Sequence, residues 1–443
     1  LQKKDSLDLQ ILVGKVELQQ GTARFYCDSC VLNQTGNSFE AWGSVRLLDA
    51  DTTDVKAQHL RYLIAERVAY LDGNVRLSDG KGSLQTPDLE YNMNSDIGIY
   101  RHGGKVLNGK TILTSREGYY YAGLRDIYFI KDVKLTDPAY KISTDSLLYN
   151  MDSRVTRFVA QTEIRDSTGR TVETRDGFYD MSSGKAEFGK RPVIRDGKTR
   201  ITGESIRFND KTGISEASGS VVIIDSAQGT TLQAGRVVQD NKKKTVLSTD
   251  HPVLIVQQDK DSVYITADTL FSGPLPHQPD SLARKTSDND STLRFFQAYK
   301  HVRIFTDSLQ AACDSLYYSY QDSAFRLYQE PVIWSRGSQI TGDTIYMHLN
   351  NKKAEQLRIL NNAMAISPVD STDYFNQLKG NSIVVDFIDG KLHQMQTKGS
   401  AENIYFTTDN EEKFIGVNHS NAQIITIDFN NDEPVKIVFV NQL

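Results

Sequence analysis

Thr144-Asp145-Ser146-Leu147-Leu148-Tyr149 is one copy of a phrase that returns along the chain: a small residue, an acidic one, Ser or Thr, an aliphatic, any residue, an aromatic. Clear copies are Gly203-Glu204-Ser205-Ile206-Arg207-Phe208, Cys313-Asp314-Ser315-Leu316-Tyr317-Tyr318 and Gly342-Asp343-Thr344-Ile345-Tyr346-Met347. Weaker ones run over 57–62, 86–91, 116–121, 234–239 and 267–272. The last position falls at 32, 62, 91, 121, 149, 179, 208, 239, 272, 318, 347 and 385, with most gaps between 28 and 33, and a further copy fits at Ile427. Seven of those twelve positions are Tyr or Phe in a chain that is 9% aromatic. A chain of unrelated domains would not keep that spacing, so the sequence is one repeat array.

Each unit has the same internal order. A short strand such as Asn74-Val75-Arg76-Leu77, Asp132-Val133-Lys134-Leu135 or His301-Val302-Arg303-Ile304 precedes a polar turn, the acidic phrase and a second turn. A third strand such as Ile97-Gly98-Ile99-Tyr100 closes the unit. Alternation is period two and no amphipathic helix stands out. Leu147 and Tyr149, two apart, share one strand face, while Ser146 and Leu148 take the other; Val75 and Leu77 share a face likewise. One unit of about 30 residues cannot bury its apolar face alone, but stacked neighbours can. The fold class expected is all-β: an elongated, repetitive array of about thirteen units with an apolar interior, about 60 to 115 Å long.

The array runs over 1–272 and continues over 293–362; between them, 273–292 reads as an inserted surface loop with Pro274, Pro276 and Pro279. Longer, looser repeats occupy 363–443. The 443 residues are 39% hydrophobic and 24% charged, with 51 basic and 56 acidic side chains giving a net charge of −5. That balance argues against a nucleic-acid partner, which calls for a basic excess. No stretch reaches 18 consecutive apolar residues, so none reads as a membrane-spanning helix. Tyrosine (21) and phenylalanine (18) far outnumber methionine (6), which suits strands. The chain opens at Leu1 without a signal-peptide pattern, as a mature or trimmed chain would.

The Gly73-Asn74-Val75-Arg76-Leu77 strand followed by Leu89-Glu90-Tyr91 resembles the OstA-like, or LptA-type, lipopolysaccharide-transport proteins of Gram-negative envelopes. The resemblance extends from about Val13 to Ile359, in an array much longer than a single bridge protein of that family. It implies a twisted β-jellyroll shaped like a V or taco, open along one side, in the periplasm. It also implies lipid A acyl chains of lipopolysaccharide held in the groove, and other jellyrolls of the same system as partners, joined end to end by strand pairing. The groove lining would be Leu60, Tyr62, Val75, Leu77, Leu89, Tyr91, Tyr121, Val133, Leu135, Leu147, Tyr149, Ile206, Phe208, Leu316 and Tyr318. Contact with the outer or inner membrane would come through those partners. The row of similar apolar units suits conveyance, because neighbouring sites of equal energy form no deep trap.

Other chemistry finds little footing. The acidic position (Asp28, Glu117, Asp145, Glu204, Asp268, Asp314, Asp343) forms a row, but the Ser or Thr that follows points to turn or strand-end hydrogen bonding rather than a metal ladder. Cys27-Asp28-Ser29-Cys30 has redox or zinc spacing, yet it occupies the repeat phrase, has no second pair, and its odd separation puts the two side chains on opposite strand faces. Eight scattered histidines show no metal spacing, and no nucleophile elbow, phosphate loop or HExxH occurs. Lys242-Lys243-Lys244 reads as a solvated turn, with lipid phosphate as the alternative target. No cofactor and no catalysis are expected. Two alternatives stay open: a carbohydrate-active or adhesin-like β-solenoid, and a purely structural spacer with a packed interior.

Overall fold

A computed structural model of the chain describes residues 9–49, 53–257, 262–275, 294–350, 353–369, 372–388, 391–409, 414–430 and 433–442. All assigned elements among them are β-strands, thirty-seven in number, and every pairing is antiparallel. The chain divides into two compact units, Leu1–Gly213 and Ile214–Leu443. Strand Thr269–Pro274 still pairs with Arg294–Phe305, so Gly273 and Pro274 belong to the sheet. Pro276, Pro279 and the remainder of the stretch expected as an inserted loop, from 276 on, lie outside the described residues.

In the first unit the long strands do not run straight. Strand Val68–Ser78 pairs Asp72 with Asp88 but Val75 with Thr86, so one extra residue sits on its own side of the ladder. The same shift recurs between Trp42 and Val45 and between Ile130 and Val133. A bulge of this kind bends the strand and sharpens its twist. Each bent strand therefore contributes one half to each of two walls. The first wall carries 29–33, 38–42, 59–63, 68–72 and 88–92, and continues through Ile97–Tyr100, Glu117–Tyr121, 126–130 and 146–150 to Ser205–Asn209. The second wall carries 45–49, 53–57, 75–78 and 83–85, then Gly104–Asn108, Thr111–Ser115, 133–136 and 140–144, ending at Thr199–Thr202. At Arg101–Gly103 and Val159–Gln161 the corner breaks the strand outright into two elements.

Backbone conformation explains where the corners fall. Pairs of consecutive left-handed residues recur there: Gly43-Ser44, Gly73-Asn74, Lys131-Asp132 and Lys190-Arg191 in the first unit. Gly219-Ser220, Asp250-His251, Lys300-His301, Gln329-Glu330, Asn361-Asn362 and Gly399-Ser400 follow in the second. The Gly-Asn of the Gly-Asn-Val phrase is thus the corner itself. At Gly73, φ is 80° and an added Cβ would stand 2.7 Å from the Gln58 side chain, so both conformation and space ask for glycine.

The small residue of the phrase sits on the inner side of the corner, where the walls converge. Where it is a hydroxyl residue it bonds across the corner: Thr86 Oγ1 donates to the Gly103 carbonyl (2.8 Å) and Thr144 Oγ1 to that of Gln161 (3.0 Å). The bulge also changes the inward count. Thr86 and Leu89, Thr144 and Leu147, and Cys27 and Cys30 are all buried although three residues apart. The opposite-face expectation for the two cysteines is therefore corrected: the register shift between Tyr26 and Ser29 turns both thiols inward.

The second unit repeats the plan, with bends between Ser218 and Val221, Tyr299 and Val302, Leu360 and Ala363, and Lys398 and Ala401. Its core runs from Ile265 to Ile427, with Leu316, Ile345, Ile359, Ile383 and Val385 buried.

Candidate functional site

The space between the two walls of the first unit is the place where the repeat could act. Leu60, Tyr62, Leu89, Tyr91, Leu147, Tyr149 and Ile206 face it from the first wall, and Val75, Leu77, Val133 and Leu135 from the second; all are buried. Leu147 and Tyr149 have no exposed surface. Phe208 is half-buried and packs on Phe188 at 5.5 Å, with the Arg170 guanidinium 5.2 Å from its ring centre. In the second unit Leu316 is buried and Tyr318 half-buried against Phe325 at 4.3 Å. Tyr121 is the exception. In strand Glu117–Tyr121 the buried positions are Gly118 and Tyr120, so Tyr121 lies on the outer face and its neighbour takes the inner place. The 116–121 copy is one residue out of step with the 144–149 copy.

Side chains of the chain itself occupy this interior. Phe25, Phe39 and Tyr62 form a cluster with ring centres 4.7 to 5.2 Å apart. A cavity of about 10 Å³ lies among Leu77, Leu84, Val106, Tyr120, Ile127 and Met151, room for about one water molecule.

Opposite the corners, at the mouth between them, the walls meet through polar groups. The Tyr62 hydroxyl, from the first wall, donates to Oε1 of Gln20 in the second at 2.5 Å. The Tyr120 hydroxyl donates to Asp79 at 3.2 Å. Asn108 Nδ2 donates to the Tyr149 hydroxyl (3.1 Å) and to the Met151 carbonyl (2.8 Å). Arg154 reaches across to Thr111 Oγ1 at 3.3 Å and to Asp137 at 3.7 Å. Lys81 and Arg125 converge on Asp152 at 2.5 and 2.9 Å. Tyrosine suits this line because its ring stays in the apolar interior while its hydroxyl reaches the polar rim. Tyr91 likewise bonds to Thr53 of the second wall, and Tyr100, nearer the corner, shares a hydrogen bond with Ser115 (2.7 Å). Burial pushes these phenols up: Tyr91 and Tyr100 to about 12, and Tyr62, Tyr120 and Tyr149 in the same direction.

Sequence reasoning missed the second-wall half of the seam. Gln20, Asp79, Asn108 and Asp137 sit at strand ends next to turns, where a polar residue has an ordinary reason to be; the repeat spacing that links them, 29 residues from Asp79 to Asn108 and again to Asp137, was the signal that could have found them.

The acidic row lies outside the corners rather than within. Glu117 pairs with Lys131 (2.7 Å), Glu204 with Arg191 (2.6 Å) and Asp268 with His301 (3.0 Å), while Asn362 donates to Asp343 (3.0 Å). Each acid thus meets a residue of the neighbouring corner. Exposed pairs of this kind contribute little stability. Among the described residues no group of three or more His, Cys, Asp or Glu could hold a metal ion. Burial raises the pKa of Cys27, and that of Cys30 to about 11, so neither is an activated thiolate. Lys242 and Lys243 cap a turn, both backbone amides donating to Asp240 Oδ1 at 3.0 Å.

Residues 1–145 match the OstA-like protein family. The match spans 145 of the 443 residues. The matched stretch holds the first eleven strands, and with them the seam tyrosines Tyr62, Tyr91 and Tyr120. Among solved structures, the chain is similar to LptH, described as the LptA homologous periplasmic component of the conserved lipopolysaccharide transport device from Pseudomonas aeruginosa. The identity is 14%, with 40% of this chain and 92% of that one covered, and the TM-score is 0.17, too low to support a conclusion. No curated protein matches the chain.

Proposed function

We propose that this protein is a non-enzymatic, lipid-binding β-jellyroll of lipopolysaccharide transport, placed in the periplasm and carrying lipopolysaccharide towards the outer membrane between its two walls. The observation that carries the reading is the continuous apolar interior of an OstA-like array, built from the same positions in successive repeats. Burying an acyl chain of a dozen carbons gains on the order of 10 kcal/mol, enough to compete with side chains that can swing aside. Partners are other jellyrolls joined end to end. Strand Leu9–Gln20 supports this: among the described residues it pairs on one side only, with strand Ala23–Asn33, and it exposes Ile11, Leu12 and Val13, the last at 80%. An apolar edge of that kind invites strand addition.

The filled interior favours a second reading, a structural spacer. The two part company in one experiment. A photoreactive residue at Tyr91 or Tyr149, irradiated in native membranes, gives a covalent lipid A adduct by mass spectrometry if the protein carries lipid. Bare protein at both positions, with no lipid in the detergent-free preparation, leaves the spacer.

A further inference from the structure

We infer that the polar seam over the mouth of the first unit is a latch: the two walls part along it, turning about the left-handed corner pairs, to admit a linear acyl chain. The inference rests on the lipid-binding reading above and names how that interior opens.

Within each wall the strands are tied by unbroken antiparallel ladders, and parting a wall would break many backbone hydrogen bonds together. Between the walls the ties are side chains. At the corners the ladder is already interrupted, by shifts such as Asp72/Val75 and Ile130/Val133, so rotation there costs few bonds. The mouth is therefore where the interior yields first. Each neutral hydrogen bond of the seam shifts an opening equilibrium by only about fivefold.

One stretch of the seam is incompletely satisfied. The Tyr140 hydroxyl, Thr156 Oγ1 and Arg154 Nε are buried without a partner. Tyr140 lies on the second wall, 4.9 Å from the Tyr179 ring on the first, and Thr156 pairs with Tyr149. Water would satisfy all three once the walls part. The tyrosines also swing out as amphipathic groups, presenting a hydroxyl to water.

The chain carries its own reporters. Cys27 and Cys30 are buried on strand Ala23–Asn33, whose Phe25 packs on Tyr62 at 4.7 Å, whereas Cys313 is buried in the other unit. The test compares the full-length protein with the Tyr62→Phe/Tyr91→Phe/Tyr120→Phe/Tyr149→Phe variant, which keeps every ring and loses the hydroxyls. Maleimide labelling of each cysteine is followed by mass spectrometry, and binding of cis-parinaric acid by fluorescence. A latch predicts labelling of Cys27 and Cys30 faster by about fivefold or more, Cys313 unchanged, and faster uptake of the acid. Unchanged labelling of Cys27 and Cys30, or all three thiols quickening together, overturns it. If the two thiols quicken while neither protein takes up the acid, the latch stands and the lipid reading falls. If both take up the acid equally while the thiols stay protected, the lipid reading stands and the latch falls. Should the fourfold variant not fold, Tyr62→Phe alone, next to the reporting thiols, is read by the same criteria.

Discussion

Asn108 ties Tyr149 across the mouth of the first unit: its amide donates to the phenol oxygen at 3.1 Å and to the Met151 carbonyl at 2.8 Å. Asn108 ends a strand of the second wall, Tyr149 lies at the end of a strand of the first, and Met151 opens the turn after it. All three residues are buried. One amide thus holds two walls that share no backbone ladder at this point.

Replacing Asn108 with Ala leaves the Met151 carbonyl without its donor and should destabilise the protein by about 2–3 kcal/mol. Tyr149→Phe should cost about 1 kcal/mol. Equilibrium urea unfolding of the two single variants and the double variant measures the coupling between them. A coupling near 1 kcal/mol supports a direct cross-mouth bond; strict additivity would show that the two residues act separately.

Corner conformation makes opposite predictions for two residues. Gly73→Ala forces a side chain into φ 80° and against Gln58, and should cost at least about 1 kcal/mol. Lys190 already holds φ 55° with a full side chain, so Lys190→Gly should gain about 0.5–1 kcal/mol. Thermal melts of the two variants decide it: a Gly73→Ala protein as stable as the parent would mean that the corner adapts.

The buried phenols set an alkaline limit. Burial raises Tyr91 and Tyr100 to about 12, above the ordinary tyrosine value of about 10. The native state then holds these protons more tightly than the unfolded chain. Their contribution is complete below pH 10 and is lost as pH rises through about 12. Absorbance at 295 nm should therefore show a class of tyrosines ionising late, together with loss of the β-sheet circular dichroism. Ionisation of every tyrosine near pH 10 in a protein that stays folded would contradict the burial.

Legibility in the sequence followed the range of the interaction. Leu147 with Tyr149, and Val75 with Leu77, were placed on common faces because a strand alternates with period two wherever it runs straight. Cys27 and Cys30 were misplaced because their strand bends between them, where the neighbouring strands each carry an extra residue, and nothing in the phrase itself marks the bend. Tyr121 failed for a related reason. A run of three tyrosines, 119–121, offers two registers, and the pairing of Tyr120 with Gly98 and Ile127 selects one. Gly43-Ser44 and Gly73-Asn74 carry corner chemistry in their composition. Lys131-Asp132 and Gln329-Glu330 adopt the same left-handed pair without it, because neighbouring strands impose the bend.

The amino-acid order by itself determined the repeat, the strands and which residues are apolar enough to face inward, since each depends on contacts a few residues apart and on transfer from water. Tertiary structure decided the rest: that each long strand serves two walls, that the acids lie outside the corners, and that Gln20 meets Tyr62 over a distance of 42 residues. Those outcomes depend on where a bend brings separate strand ends together, and a side chain carries no local mark of a partner it meets only after the walls have folded.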